Sequence, residues 1–423
     1  MKRSVEVKPD GLTFQWVDYP IRIEIARIQN HKDGRIVGYI KVQDTARAKP
    51  HLREGSFNFT TLLTREKWVN TLSKICPTTD NHEYPWAEAF EEMAHEVVER
   101  TLLGEPIREV WTRDDIEEPP YLVYPIARKG QAVVIFGEGG IGKSYLAMLI
   151  GTVAQLPWKD NPLGLKPEAQ VNNVLYLDWE ADEETFAWRL TKLQRGLGLP
   201  HYSFHYRPCN FPLSHDVGQI IEKAWEIKAG LVIIDSIGAA CGSDLNAAEA
   251  ANVFNNALRQ LNATSLAIGH TAKGDSLRPT IYGSTFFTNR PRSVWELQKS
   301  QEIGQDEMVL ALWHRKSNDS RLFMPLGYAL KFTDYDVNIK CHDIRTMDDF
   351  LAGMPIHTRI NFILKHGPLT MKEILDKLNV SEDAKQTSEG TLKTELNRML
   401  NAEKVAKMGG QLWGLAFQGE LEE

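Results

Sequence analysis

Eight residues, Gly137, Glu138, Gly139, Gly140, Ile141, Gly142, Lys143 and Ser144, have the spacing of a phosphate-binding loop. Such chemistry needs backbone N–H groups free to converge on phosphate oxygens, so glycines stand where a Cβ would block approach. Lys143 brings positive charge to the β- and γ-phosphates of a nucleotide, and Ser144 offers its hydroxyl to Mg²⁺. The helix that begins at this point, with Tyr145 on its first turn, adds the positive end of its dipole. Hydrolysis also requires carboxylates. Asp235 ends an apolar run, the position from which a carboxylate holds Mg²⁺ through its waters in P-loop enzymes. Glu180 is the candidate base for the attacking water. Asp178, Asp182, Glu183 and Glu184 compete for that role, and the cluster also suits the capping of the helix that follows.

These groups need a scaffold that delivers them to one place. Ala132 to Phe136 is an apolar strand that empties into the loop, and Tyr145 to Val153 is an apolar helix. Strands are predicted at Val174 to Asp178, Leu231 to Asp235 and Ser265 to His270, with helices at Asp182 to Arg195 and Ala247 to Leu261. Asn246 and Glu249 have the spacing of a capping box for the second helix. Apolar strands alternating with helices predict an α/β fold with a mostly parallel sheet covered on both faces. Met308 to His314 and Tyr328 to Phe332 extend that sheet as antiparallel edge strands.

The 423 residues predict three domains, 1–118, 119–348 and 349–423. In the first, Ile21 to Ile25 and Arg35 to Val42 form a hairpin, followed by helices at Thr60 to Ile75 and Trp86 to Leu103. This small α+β unit carries no catalytic motif. Asp114 to Pro120, acidic and then stiffened by two prolines, links it to the next. In the third, helices are predicted over Thr358 to His366, from a Thr370/Glu373 capping box to Leu378, and through Leu392, Leu396, Met399 and Leu400. A hairpin of Val405 to Lys407 and Leu412 to Phe417 closes it. The net charge of −7 gives no whole-chain case for nucleic acid, so any such site is local. Four scattered cysteines argue against a zinc site or a disulfide scaffold, and nothing reaches transmembrane length, so a cytoplasmic protein without membrane contact is expected.

The order of P-loop, Glu180 with Arg189 following, Asp235-Ser236, His270, Tyr282-Gly283-Ser284 and Arg292 resembles the RecA-like ATPases of the RepA and DnaB hexameric helicase group, over roughly residues 120 to 335. The resemblance implies ATP and Mg²⁺ as ligands, His270 as γ-phosphate sensor, and a hexameric ring in which one subunit completes its neighbour's site with a cation. Arg290, Arg292, Arg315 and Lys316 are the candidates, with weight on Arg292 and Lys316. Lys316-x-Asn318 stands where DnaB-type helicases carry Lys-x-Arg, and Asn departs from that pattern. Ile237 to Asp244 and Thr271 to Gly283 resemble loops that face single-stranded DNA, with Lys273 and Arg278 as cations. The last segment resembles a winged helix-turn-helix, which implies duplex DNA as a partner. Its nine Lys/Arg against seven Asp/Glu between Arg359 and Lys407 leave protein docking open. The expected function is a nucleic-acid-stimulated ATPase, a helicase or replication motor, with an ATP-switched DNA-binding regulator or loader as the alternative.

Overall fold

The computed structural model describes all residues except 1, 9–10, 32, 78–83, 105–106, 108, 113, 117, 157, 273–279, 345–346, 348–349, 351–353, 380–385, 410 and 417–423. Lys273, Gly274, Arg278 and the predicted strand end at Phe417 therefore lie outside the described residues.

Alternating burial organises the amino-terminal unit. Strands β1 (Arg3–Lys8), β2 (Gly11–Trp16), β3 (Ile21–Asn30), β4 (Ile36–Asp44) and β5 (His51–Asn58) form an antiparallel sheet in sequence order, larger than the predicted hairpin. Helices α1 (Leu62–Ile75) and α2 (Trp86–Leu103) cover the face that carries Phe14, Ile23, Ile40 and Phe57.

The central unit contains β6 (Tyr121–Tyr124), β7 (Ala127–Arg128), β8 (Ala132–Gly137), α3 (Lys143–Gln155), β9 (Lys166–Pro167), β10 (Asn173–Asp178) and α4 (Glu183–Gly196). It continues with β11 (His205–Pro208), α5 (Leu213–Glu226), β12 (Ala229–Asp235), α6 (Ile237–Cys241), α7 (Ala248–Gln260), β13 (Thr264–His270), α8 (Phe286–Asn289) and β14 (Ser293–Ser300). Three strands, β15 (Glu307–Ser317), β16 (Leu326–Phe332) and β17 (Val337–Cys341), complete it. The nine-stranded sheet has the order β11-β10-β12-β13-β8-β14-β15-β16-β17. Neighbours are parallel from β11 to β14 and antiparallel from there to β17. This is a RecA-like α/β core. Successive side chains of a strand face opposite sides, so Val133 and Ile135 join the core under α3 and α4, while Val134 and Phe136 join the one under α5 and α7.

Two expectations need correction. The Asn246/Glu249 capping box does not form: α7 has Ala247 at its N-cap with no side-chain cap. Asn246 instead gives both its backbone and side-chain N–H groups to Asp244 Oδ1, at 3.0 and 3.1 Å, so its amide is committed to the preceding turn. The strand β14 also lies inside the sheet, between β8 and β15, where only a motif had been read. Its buried Glu296 broke the apolar pattern, and that charge is paired with Arg315 at 2.6 Å.

The last unit holds α9 (Ile356–Leu364), β18 (Leu369–Thr370), α10 (Met371–Leu378), α11 (Glu389–Asn401), β19 (Val405–Met408) and β20 (Leu412–Leu415), with the small sheet ordered β18-β20-β19. The Thr370/Glu373 capping box is present: Thr370 N–H reaches Glu373 Oε2 at 2.8 Å, and Glu373 N–H reaches Thr370 Oγ1 at 3.3 Å. Phe350 and Met354, just past the expected boundary at 349, pack against Val309, Ala311 and Trp313 of the central sheet. Among the described residues, no helix is long and apolar enough to cross a membrane.

Candidate active site

Parallel pairing sets the ends of four strands side by side. Asp178 is in register with Asp235, Asp235 with Ile268, and His270 with Gly137, so the loop and three polar side chains share the carboxyl edge of the sheet. Ligands bind at this edge in open parallel sheets.

The loop leads into α3 through Gly142, which adopts φ 88° and is the N-cap; only glycine takes that conformation without strain. The first N–H groups of a helix have no intrahelical partner, and no side chain caps these. Lys143 is 6% exposed, and its Nζ donates to Gly137 O at 2.9 Å and to Glu138 O. Burial pushes its ammonium below the usual lysine range, against the pull of Asp235, Glu180 and Glu138. Ser144 Oγ donates to Asp235 Oδ2 at 2.7 Å, and Tyr176 OH donates to the same oxygen at 2.7 Å. Burial raises the pKa of Asp235, while these two hydrogen bonds oppose the rise.

The acidic cluster after β10 divides by the bonds each member makes. Asp178 is buried and accepts the backbone N–H groups of Glu180 and Ala181 at 2.8 and 2.9 Å. Asp182 caps α4 by accepting Thr185 N–H at 2.7 Å. Glu180 does neither. Its Oε1 accepts from Ser236 Oγ and lies 3.5 Å from His270 Nε2, and its side chain is 47% exposed toward the cleft. The Asp235–Ser236 peptide is cis.

Lys143, Ser144, Glu180, Asp235 and His270 line one cleft of about 400 Å³ with Tyr145, Arg189 and Phe332. The Tyr145 ring meets Phe332 edge-on, 5.6 Å between centroids. Sequence reasoning missed Tyr176, Ser236 and Phe332 as site residues. Tyr176 sits in an apolar run and reads as core, and nothing in the local sequence ties Phe332 to a loop nearly two hundred residues earlier.

Arg292 and Lys316 lie elsewhere. Arg292 N–H bonds to Ala132 O at 3.1 Å, and Ser293 is in register with Val133, so both belong to the amino edge of β8. Five residues at about 3.3 Å each separate that point from Gly137, about 16 Å, too far for either cation to reach the cleft of its own chain. Arg292 is 56% exposed, with Asp319 at 3.9 Å. Lys316 Nζ donates to Asn289 O at 2.9 Å and to Pro291 O. Arg290 is bonded to Asn252 Oδ1 at 2.7 Å, and Arg315 to the buried Glu296.

Of the two loops compared with DNA-facing segments, the first is mostly the helical turn α6, whose Ile237, Ala240 and Cys241 are buried. The residues just after the two loops are joined: Ser284 N–H bonds to Leu245 O at 2.7 Å. A Cβ on Gly283 would come 2.5 Å from the same carbonyl oxygen, so close approach requires glycine there.

Residues 101–276 match the family model of an AAA domain. Among solved structures, the chain is similar to a KaiC-like protein from the hyperthermophilic archaeon Pyrococcus horikoshii OT3, at 16% identity over 52% of this chain and 93% of that one, with a TM-score of 0.36. It is similar as well to the flagellar accessory protein FlaH from Methanocaldococcus jannaschii, at 14% identity over 52% and 91%, with a TM-score of 0.34. No curated protein matches.

Proposed function

We propose that this chain, a nucleotide-binding ATPase of RecA type, hydrolyses ATP with Mg²⁺ in response to nucleic acid and works as a ring-forming DNA helicase or replication motor. One observation carries the reading. Phosphate-binding and acid–base groups converge on the carboxyl edge, while exposed Arg292 sits at the amino edge, away from the cleft of its own chain.

In the proposed reaction, Lys143 exchanges its carbonyl partners for the β- and γ-phosphates, and the N–H groups at the start of α3 take the remaining oxygens. Tyr145, Phe332 and Arg189 flank the cleft where the base would lie. Glu180, oriented by Ser236, accepts the proton of the water that attacks the γ-phosphorus in line. His270, beside Glu180, senses the γ-phosphate. Ser144 Oγ and Asp235 are oxygen donors of the kind Mg²⁺ takes, one or two from protein and the rest from water and phosphate. Mg²⁺ held there would neutralise charge building on the phosphate oxygens. A neighbour's cation completes the site.

The DNA part of the proposal is supported by the paired loops after β12 and β13, and by the three helices and hairpin of residues 356–415, the element order of a winged helix-turn-helix. That same unit favours one second reading, an ATP-switched DNA-binding regulator or loader. The test is hydrolysis with and without single-stranded DNA, unwinding of a forked duplex, and particle mass in ATP. Stimulation, unwinding and a ring mass are expected. ATP-dependent site binding without unwinding would favour the switch, and an unstimulated monomer would overturn both.

A further inference from the structure

We infer that Lys316 is not the cation one subunit lends to its neighbour, but the strut that holds Arg292 in position to be that cation. The inference rests on the trans reading above and divides its two candidates into different tasks.

The argument begins with unsatisfied carbonyls. Helix α8 ends at Asn289 with Arg290 as its C-cap, and Pro291 has no N–H to continue the helix. Among the described residues no backbone N–H reaches Asn289 O or Pro291 O outside the regular elements. Lys316 supplies both bonds, as cations do for the last carbonyls of helices. Burial lowers its pKa and the charge of Arg292 lowers it further, against the pull of Asp319. Lys143 also bonds to carbonyls, but it stands at the head of a helix whose N–H groups await an anion; Lys316 stands at the end of one, where the carbonyls themselves need a donor.

Arg292 has the opposite character, with a fixed backbone and a side chain held only by a long ion pair to Asp319 at 3.9 Å. Its N–H bonds to Ala132 O at 3.1 Å and its carbonyl accepts Asn318 N–H at 3.0 Å. Lys316 and the backbone N–H of Asn318 thus both bond to carbonyls of the 289–292 segment. Beneath these bonds, His314 is stacked between Trp295 at 4.2 Å and Phe323 at 5.5 Å, and Ser293 Oγ bonds Trp295 Nε1 at 2.9 Å and His314 Nε2 at 3.1 Å. These contacts lock the ends of β14 and β15 together. Of Arg290, Arg292, Arg315 and Lys316, the last two are half-buried and bonded to Glu296 and to backbone carbonyls; Arg290 and Arg292 are both exposed, Arg290 held by Asn252 Oδ1 at 2.7 Å and Arg292 by one long ion pair.

The test is a double-mutant cycle on the full-length oligomer with ATP and Mg²⁺. Arg292→Ala should lower kcat on the order of 10³-fold, the loss typical of a missing finger. Lys316→Met should cost roughly 10- to 100-fold, the scale of a displaced rather than an absent group. The double variant should be no slower than Arg292→Ala alone, because a strut has nothing left to aim. Affinity for a fluorescent ATP analogue should stay at the wild-type value throughout. Losses that multiply in the double variant would make Lys316 a participant in its own right and overturn the inference while leaving the trans reading intact. A wild-type rate for Lys316→Met would also overturn it. A wild-type rate for Arg292→Ala would instead remove the trans reading, and the inference with it. Should Lys316→Met not assemble, Lys316→Ala, which likewise lacks a donor, takes its place in the cycle with the same outcomes.

Discussion

Glu180→Gln separates the cleft's two tasks, holding nucleotide and breaking it. Glutamine keeps an oxygen that can accept the Ser236 hydroxyl, so the side chain retains its anchor and its shape. What it loses is the negative charge and the capacity to accept a proton. A positioned general base contributes roughly 10²- to 10⁴-fold, which at 1.36 kcal/mol per decade is about 2.7–5.5 kcal/mol of barrier. Binding rests on Lys143, Ser144 and the loop, none of which bonds to Glu180, so ATP affinity should stay within a few-fold of wild type. The assay pairs single-turnover phosphate release with equilibrium binding of ATP, and an ATP-loaded, hydrolysis-arrested protein is expected. Asp182→Ala is the control: it should lower stability modestly through the lost cap of α4 and leave the chemical step alone. Hydrolysis by Glu180→Gln within tenfold of wild type would refute the assignment and return the role to Asp178, despite the two N–H groups it already accepts.

Lys143→Ala should abolish ATP binding, since it removes the loop's cation; unchanged affinity in a folded variant would contradict the phosphate-site reading. Ending the chain after Met354, which leaves Phe350 and Met354 on β15, should spare basal hydrolysis and weaken binding to duplex DNA, measured by anisotropy. Equal duplex affinity would make the last unit a protein-docking module. Burial pushes His314 down to about 4 from 6.5, so the unfolded chain takes up a proton that the folded one refuses. Stability should therefore fall as pH drops from about 6.5 to about 4, by at most about 3 kcal/mol, and urea unfolding of His314→Gln should lack that part of the slope.

The strands bearing the chemistry were readable because they are buried on both faces: β8, β10, β12 and β13 have mostly apolar centres and end at the carboxyl edge where the site lies. The P-loop was readable because phosphate chemistry constrains consecutive residues. Other features depend on distant partners. Glu296 hides β14 until Arg315 is seen beside it. Ser236 and Tyr176 enter the site only when β10 and β12 are laid in register. The choice among Asp178, Glu180 and Asp182 turns on which backbone N–H groups each one meets, and an acidic cluster read as a string carries no such information. Lys316 and Arg292 look alike on paper, and only the direction of their bonds distinguishes them.

The roughly 16 Å between the Gly137 end of β8 and its Ala132 end bears on symmetry. A dimer about a two-fold axis could fill both clefts only through a single patch that holds a cleft and an Arg292 together, each serving the other's site. With cleft and arginine at opposite edges of the sheet, the trans reading favours heterologous contacts, the front of one subunit against the back of the next. Such contacts propagate: each junction leaves one unfilled cleft at one end and one unused arginine at the other. If the rotation between subunits closes, every junction is equivalent and none is wasted; if it carries a rise along the axis, the same interface builds an open helical filament. Hydrolysis per subunit should then climb with concentration toward a plateau, with short oligomers losing activity in proportion to their free ends.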